Sequence, residues 1–411
     1  MRRLASPTAA IHAKLLLLIA LSFPVVVGTF WAFRQQRGVP ASVETKFRKP
    51  EAYDFRAIYE RALGECPTRV ARCFDAALDR ITRAHGPQAS LDLLRLLHAD
   101  GLVSSAVDYH PVAHRAGRIT AREFGINGEA FLLCPTSFNY GCQHGFLEYA
   151  LGRASSIREA VHLICGSLEA DPARSAKFKF YCYHGAGHGV LMAQAYDLPA
   201  ALATCDALET PVGQDGCWQG VFMENVGAAA RGEARQGVFS ATDPLAPCNR
   251  VAEKHRHECF INHAGWLMHI FGNDVAKAAR ACLEAPESYV ASCLQSIGLM
   301  ATNPGSQTNL LKNPRGGTFE TIAWEICLKF PAQHRDQCVL GAVDNILNFD
   351  ELDVSRARAF CATVGSAYAA PCHERVGWNL RNQATDPSIV LKKCAGLEPS
   401  LREACLRGAR L

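Results

Sequence analysis

No C-x-x-C occurs in this chain, and no C-x-x-C-H. The first absence removes the usual zinc-ribbon and thioredoxin spacings, and the second removes ordinary c-type haem attachment. H-E-x-x-H is missing, so a zincin protease has no support. G-x-S-x-G is missing too, so no nucleophile elbow marks a Ser-His-Asp hydrolase. The glycines of His184-Gly185-Ala186-Gly187-His188-Gly189 lack the strand-then-helix setting of a nucleotide fingerprint. No long Lys/Arg run stands out and the net charge is only +4 over 411 residues, so nucleic acid is not an expected partner.

Charge is also lacking from Leu15 to Phe33, 19 residues reading LLLLIALSFPVVVGTFWAF. At about 1.5 Å rise per residue such a helix nearly spans a hydrocarbon layer of about 30 Å. Arg2, Arg3 and Lys14 precede it, as expected of a cytoplasmic flank, while Arg34 and Arg37 follow it. A cleaved signal peptide is the rival reading. The bulky end Phe30-Trp31-Ala32-Phe33 reads instead as an interfacial anchor, where a cleavage site would call for small residues. Either way the remainder is exported, to a periplasmic, extracellular or lumenal space.

What the chain has in abundance is cysteine, eighteen in all. An even count at regular spacing in an exported chain reads as a disulfide framework. Five pairs are each 11 apart: Cys248/Cys259, Cys282/Cys293, Cys327/Cys338, Cys361/Cys372 and Cys394/Cys405. Cys205/Cys217 is one residue longer, and Cys66/Cys73, Cys134/Cys142 and Cys165/Cys182 are the earlier candidates.

A second marker moves with the first. Asp197, Asp274, Asp353 and Asp386 each stand 8 residues before a cysteine, the place for a helix N-cap. Ala201, Ala278 and Ala357 follow four residues later, as small residues would at a close helix contact. The unit then reads as a short helix from the Asp to the first Cys, a turn at Pro286, Pro331, Gly365 or Pro399, and a second helix opened by the second Cys. A continuous helix would hold residues i and i+11 about 16 Å apart, too far for a disulfide, whereas a hairpin brings them together. Helix B often carries a small residue three after its Cys, namely Gly145, Gly185, Gly220, Gly341 and Ser296, which fits close helix approach. The segment 301–319 reads as an inserted loop.

D-x3-A-x3-C followed by C-x2-G, at a period near 34, resembles the cysteine-rich form of Sel1-like repeats, relatives of tetratricopeptide repeats, over roughly residues 160–411. That resemblance implies stacked helical hairpins forming an interaction surface, generally without an active site of their own. The expected fold is all-α, a disulfide-stapled helical-hairpin repeat array (an α/α solenoid) with one N-terminal transmembrane helix. Its parts are a cytoplasmic N-terminus (1–14), the anchor (15–33), a linker (34–50), a less regular helical part (51–160) and the repeats (161–411).

Three successive segments carry potential ligands at i and i+4: His110/His114, His144/Glu148 and His184/His188. Residues at that spacing share a helix face, and two imidazoles there can grip one ion. His144 and His184 both lie two residues after a Cys, with Gln219 at the equivalent place in the next unit; Glu224, His263 and His269 come later. The set His110, His114, His144, Glu148, His184, His188 and His263 suits zinc, iron or copper, with Glu148 or Glu224 as a candidate proton carrier. The competing reading is a row of histidines hydrogen-bonded between helices or bordering a groove. Two functions therefore stand open. One is a membrane-tethered scaffold binding a protein or peptide, with the histidines as its site. The other is an extracytoplasmic metalloprotein which, if an enzyme, is a metal-dependent hydrolase or oxidoreductase.

Overall fold

The computed structural model describes residues 47–67, 71–100, 102, 109–138, 140–169, 171–302, 318–350 and 352–411. The candidate anchor 15–33 and most of the inserted loop lie outside the described residues. Among the described residues no helix is long and apolar enough to cross a membrane.

The described elements are helical, apart from one isolated bridge between Ser240 and Asp243. Three helices come first: α1 (Phe55–Glu65), α2 (Ala71–His85) and α3 (Pro87–Ala99). Then follow α4 (Tyr109–Phe124), α5 (Gly141–Leu151), α6 (Ala176–Ala193), α7 (Leu198–Asp206) and α8 (Pro211–Arg231). The later helices are α9 (Glu253–Asn262), α10 (Ala264–Ile270), α11 (Val275–Cys282), α12 (Glu287–Ala301), α13 (Phe319–Cys327) and α14 (Arg335–Asp350). The chain ends in α15 (Ser355–Thr363), α16 (Ser366–Gln383), α17 (Pro387–Cys394) and α18 (Pro399–Ala409).

All nine cysteine pairs close, with Cα–Cα distances of 5.3–5.9 Å. No cysteine is left free. Nine disulfides in one chain are the signature of an oxidising, extracytoplasmic compartment. The short helices α11, α13 and α17 end on their Cys, and Asp197, Asp274 and Asp386 cap α7, α11 and α17 through backbone N–H groups of the first turn. Asp353 sits one residue outside its cap position, where its carboxylate takes the Ser355 N–H at 2.9 Å.

Cys73 is the least buried of the paired cysteines. It does bond Cys66, at a Cα–Cα distance of 5.5 Å, but over a separation of only 7 residues. Cys66 is the C-cap of α1, and Cys73 lies in the first turn of α2, so this bridge ties one helix end to the next helix start. Cys73 Sγ consequently stays near the rim, 3.5 Å from the Glu65 carbonyl oxygen, and the residue is only partly buried, whereas Cys66 is 1% exposed.

The expectation that the second Cys opens helix B needs correcting. Helices α6, α8, α9, α12, α16 and α18 begin six residues before Cys182, Cys217, Cys259, Cys293, Cys372 and Cys405. The turn is therefore only a few residues long, with Pro286 and Gly365 as the residues just before helix B and Pro211 and Pro399 as its first residues. The second sulfur faces back toward the end of helix A from well inside helix B.

The long helices pack most extensively in pairs: α4 on α5, α6 on α8, α12 on α14, and α16 on α18, with α5 also packed on α6. Glycines let the backbones touch. A Cβ on Gly145 would stand 1.8 Å from the His114 carbonyl oxygen, and one on Gly220 1.9 Å from that of His184. Gly341 faces the Gln295 carbonyl in the same way at 2.2 Å, and Gly408 faces that of Glu374 at 1.8 Å. Contacts are not confined to chain neighbours. Lys177 Nζ on α6 donates to the Leu347 carbonyl at 3.0 Å, and the Tyr181 hydroxyl to Asn348 Oδ1 at 3.2 Å, joining segments a neighbour-only solenoid would keep apart.

Candidate metal centre

The glycine crossings place histidines at the centre of the first two pairs. On α4, His110 and His114 lie one turn apart. On α5, His144 sits beside Gly145, the residue pressed against the His114 carbonyl. On α6, the glycine-rich stretch His184–Gly189 is helix throughout. Its Gly187 faces the Cys217 carbonyl of α8 (2.2 Å to a built Cβ), while Gly185 and Gly189 face Leu147 and Leu151 of α5. Helix α6 is thereby held between α5 and α8, with His184 and His188 turned to the shared core.

Five imidazoles result in one cluster. The His144 ring centroid lies 5.6 and 5.4 Å from those of His110 and His114, and 5.3 and 5.1 Å from those of His184 and His188. His144 and His184 are only 2% and 1% exposed. Potential donor atoms of His110, His114 and His144 all lie within 4.8 Å of one another.

The hydrogen bonds fix the proton positions in the first pair. His110 Nδ1 is 2.8 Å from the Phe138 carbonyl, which only accepts, so Nδ1 carries the hydrogen. His114 Nδ1 is 2.7 Å from Glu148 Oε1, and Arg118 donates to the other carboxylate oxygen at 2.9 Å. Burial pushes the Glu148 carboxyl upward, but the His114 hydrogen bond and nearby cationic groups outweigh it and hold the group at about 2. Glu148 is thus a carboxylate and His114 Nδ1 its donor. The two Nε2 atoms are then both acceptors, yet they face each other at 2.9 Å. Two lone pairs tolerate that approach only with a cation shared between them. That cation is either a proton, carried by His114 between Glu148 and His110, or a metal ion.

The second pair repeats part of this design, without a carbonyl partner on the outer nitrogen: His184 Nδ1 is buried with no hydrogen bond. His188 Nε2 lies 3.1 Å from His184 Nε2, and His188 Nδ1 lies 3.1 Å from Glu224 Oε2. Arg231 donates to Glu224 Oε1 at 2.8 Å and to Glu233 at 2.7 Å. Burial raises the Glu224 carboxyl, but the His188 hydrogen bond and Arg231 bring it below the usual range. Burial, followed by neighbouring imidazoles, drives His144 and His184 well below their ordinary value, so both stay neutral and basic nitrogens remain available. Neither His144 nitrogen has a hydrogen-bond partner.

Not every candidate residue joins the cluster. The His263 Nε2 atom donates to the Pro244 carbonyl at 2.7 Å, and its ring packs by Phe239 and Phe260. The potential ligands grouped with it, Cys248 and Cys259, are joined to each other and offer no thiolate. Gln219 lies beside His184, and its amide donates to Glu258 at 3.2 Å. Glu148 and Glu224, the candidate proton carriers, each sit between an imidazole and a guanidinium. Arg118, Arg231 and the Phe138 carbonyl escaped the sequence reading. Arg118 stands four residues after His114, a visible spacing, but nothing in the sequence says that it reaches Glu148 on the next helix. No protein-family model, curated protein or solved structure matches the chain.

Proposed function

We propose that this chain is an extracytoplasmic metalloprotein whose centre is a zinc, iron or copper ion held by His110, His114 and His144. The observation that carries the reading is the convergence of three imidazoles: potential donor atoms of His110, His114 and His144 lie within 4.8 Å of one another, and the two Nε2 atoms of the first pair are 2.9 Å apart. Imidazole donors suit those borderline ions better than calcium or magnesium. The carboxylate behind His114 and the carbonyl behind His110 are the outer-shell partners that orient ligating imidazoles and raise their basicity. A hydrolase working through a free carboxylate base is the weaker enzyme reading, because Glu148 and Glu224 are each tied to an imidazole and an arginine. Tethering through residues 15–33 belongs to the same proposal, with the metal centre on the far side of the membrane.

A second reading, an interaction scaffold of the Sel1-like kind, draws on the later hairpins. They keep the stapled crossing without the histidines, and Trp378 stands 43% exposed on α16 with the Arg375 guanidinium over its ring at 4.2 Å.

The test is metal content by mass spectrometry on the full chain, produced in an oxidising compartment, beside a His110→Ala/His114→Ala variant. Near-stoichiometric zinc, iron or copper that the variant loses supports the metalloprotein. A folded, fully disulfide-bonded protein without metal, and unable to take any up, overturns it and leaves the scaffold.

A further inference from the structure

The first three histidines do not exhaust the cluster. Two half-sites on successive helix pairs share an Nε2–Nε2 approach of about 3 Å, an Nδ1 donated to a glutamate and an arginine behind that glutamate, and they differ at the other ring, where His110 Nδ1 meets the Phe138 carbonyl and His184 Nδ1 meets no partner. His144 lies between them. Its ring is nearly equidistant from the four others, at 5.1–5.6 Å, and both of its nitrogens are buried without a protein partner. A buried imidazole with two orphan nitrogens costs stability, about 1–3 kcal/mol for each unmet polar group. The cost is offset if each nitrogen faces a metal ion.

We propose that the core holds a second transition-metal ion, between His184 and His188, and that His144 bridges the two ions as an imidazolate. This rests on the reading of the first centre above. The balance is simple. Neutral His144 carries one N–H and one lone pair. The first ion takes the lone pair. The second ion replaces the remaining N–H proton, which leaves to solvent, and no oxidation state changes. Glu148 and Glu224 play matched parts, each fixing the outer ring of its own pair, and Arg118 and Arg231 balance their charge. The centre is then a pseudo-symmetric dinuclear site produced by repetition of one helix crossing.

The probe is copper(II), titrated into the metal-stripped full chain while metal-to-protein ratio and the electron paramagnetic resonance signal are followed together. Two equivalents should bind. The first should give a mononuclear signal and the second should diminish it, because an imidazolate bridge couples the two spins. His188→Gln should bind one equivalent and keep the mononuclear signal at saturation, and Glu224→Gln should weaken the second equivalent selectively, by about 10–100-fold. Saturation of the wild type at one equivalent overturns the second ion while leaving the first centre standing. Two equivalents with a signal of doubled, uncoupled intensity overturns the bridge. No binding at all sinks the first centre as well, so failure of the two readings is distinguishable. If His188→Gln fails to fold, the wild-type stoichiometry and coupling alone decide.

Discussion

Helices α4 to α8 and helices α12 to α18 cross one another in the same way, glycine against carbonyl, yet only the first set carries histidines at the crossing. In the first set the carbonyls under Gly145 and Gly220 belong to His114 and His184. In the second set the carbonyls under Gly341 and Gly408 belong to Gln295 and Glu374. The carboxylates differ in the same sense. Asp344 stands six residues after Cys338, as Glu148 does after Cys142, but Arg375 meets it with two hydrogen bonds of 2.6 and 2.7 Å and Asn379 adds a third of 2.8 Å. Charge in the later half closes on itself. In the earlier half each glutamate turns an imidazole, and the imidazoles of each pair face one another through Nε2. One crossing geometry therefore serves as plain packing in one place and as a ligand-positioning device in the other.

The largest effect is expected from filling the crossing itself. Gly145→Ala and Gly377→Ala each put a methyl about 1.8 Å from a carbonyl oxygen of the partner helix, Cys405 in the latter case. Neither backbone can yield without separating the helices, so each variant should lose about 3 kcal/mol of stability, read from the shift in denaturant midpoint. The comparison predicts a split in a second readout. Gly145→Ala should also lose bound metal, whereas Gly377→Ala should keep it in whatever fraction remains folded. Equal metal content in both would mean that the crossing does not position the ligands.

Between the two halves lies α9, packed on α8 and on α12. Its Glu258 is raised to about 7, by burial first and by the Asp215 charge second, with Gln219 opposing. In the unfolded chain the group sits near its ordinary value of 4.5. From there to about pH 7 the folded state holds a proton that the unfolded state has lost. Stability should therefore be fullest below about pH 4.5, fall as pH rises to about 7, and be lower by about 3 kcal/mol above that. Glu258→Gln should flatten this slope when unfolding is followed at pH 5, 6, 7 and 8. A slope unchanged in that variant would assign the pH dependence to other groups.

The staples give a smaller and more even effect. Replacing Cys361 and Cys372 by alanine opens a loop of about 12 residues and should cost about 2–3 kcal/mol in thermal or denaturant unfolding, with metal content unchanged. The corresponding change at Cys134 and Cys142, beside His144, should cost a similar amount and should also loosen metal binding. Equal retention of metal in the two variants would show that the site does not depend on its staple.

The staples were also the most legible part of the sequence, for a physical reason. A disulfide needs two cysteines at a spacing the hairpin dictates, so C-x10-C repeats on paper as the hairpin repeats in space. The Asp caps are legible likewise, because a cap is local. The pairing of crossings was not legible. Gly145 and Gly220 follow their cysteines by three residues, but the partners Gly117 and Gly187 lie on the preceding helix of each pair, and α4 has no cysteine to mark its phase. The histidines could be picked out by i,i+4 spacing. That His110, His114, His144, His184 and His188 converge while His263 does not depends on which helix touches which. The return of α6 to α14, through Lys177 and Leu347, is a contact 170 residues apart that no local pattern encodes.

The smallest effect separates a cap from the site it supports. Asp197 accepts the Ala200 N–H at 3.1 Å and pairs with Arg235 at 2.7 Å. Asp197→Ala should cost about 1 kcal/mol, as the loss of an N-cap usually does, since the ion pair is half exposed and adds little. Helix α7 carries no ligand; it packs on α6 and on α8 and is stapled to α8 by Cys205–Cys217, contacts that the cap does not make. Metal affinity should therefore stay within about twofold of wild type while the unfolding midpoint drops. A marked loss of affinity in Asp197→Ala would mean that the short helices are part of the ligand scaffold, and the earlier half of the chain would then differ from the later half in more than its histidines.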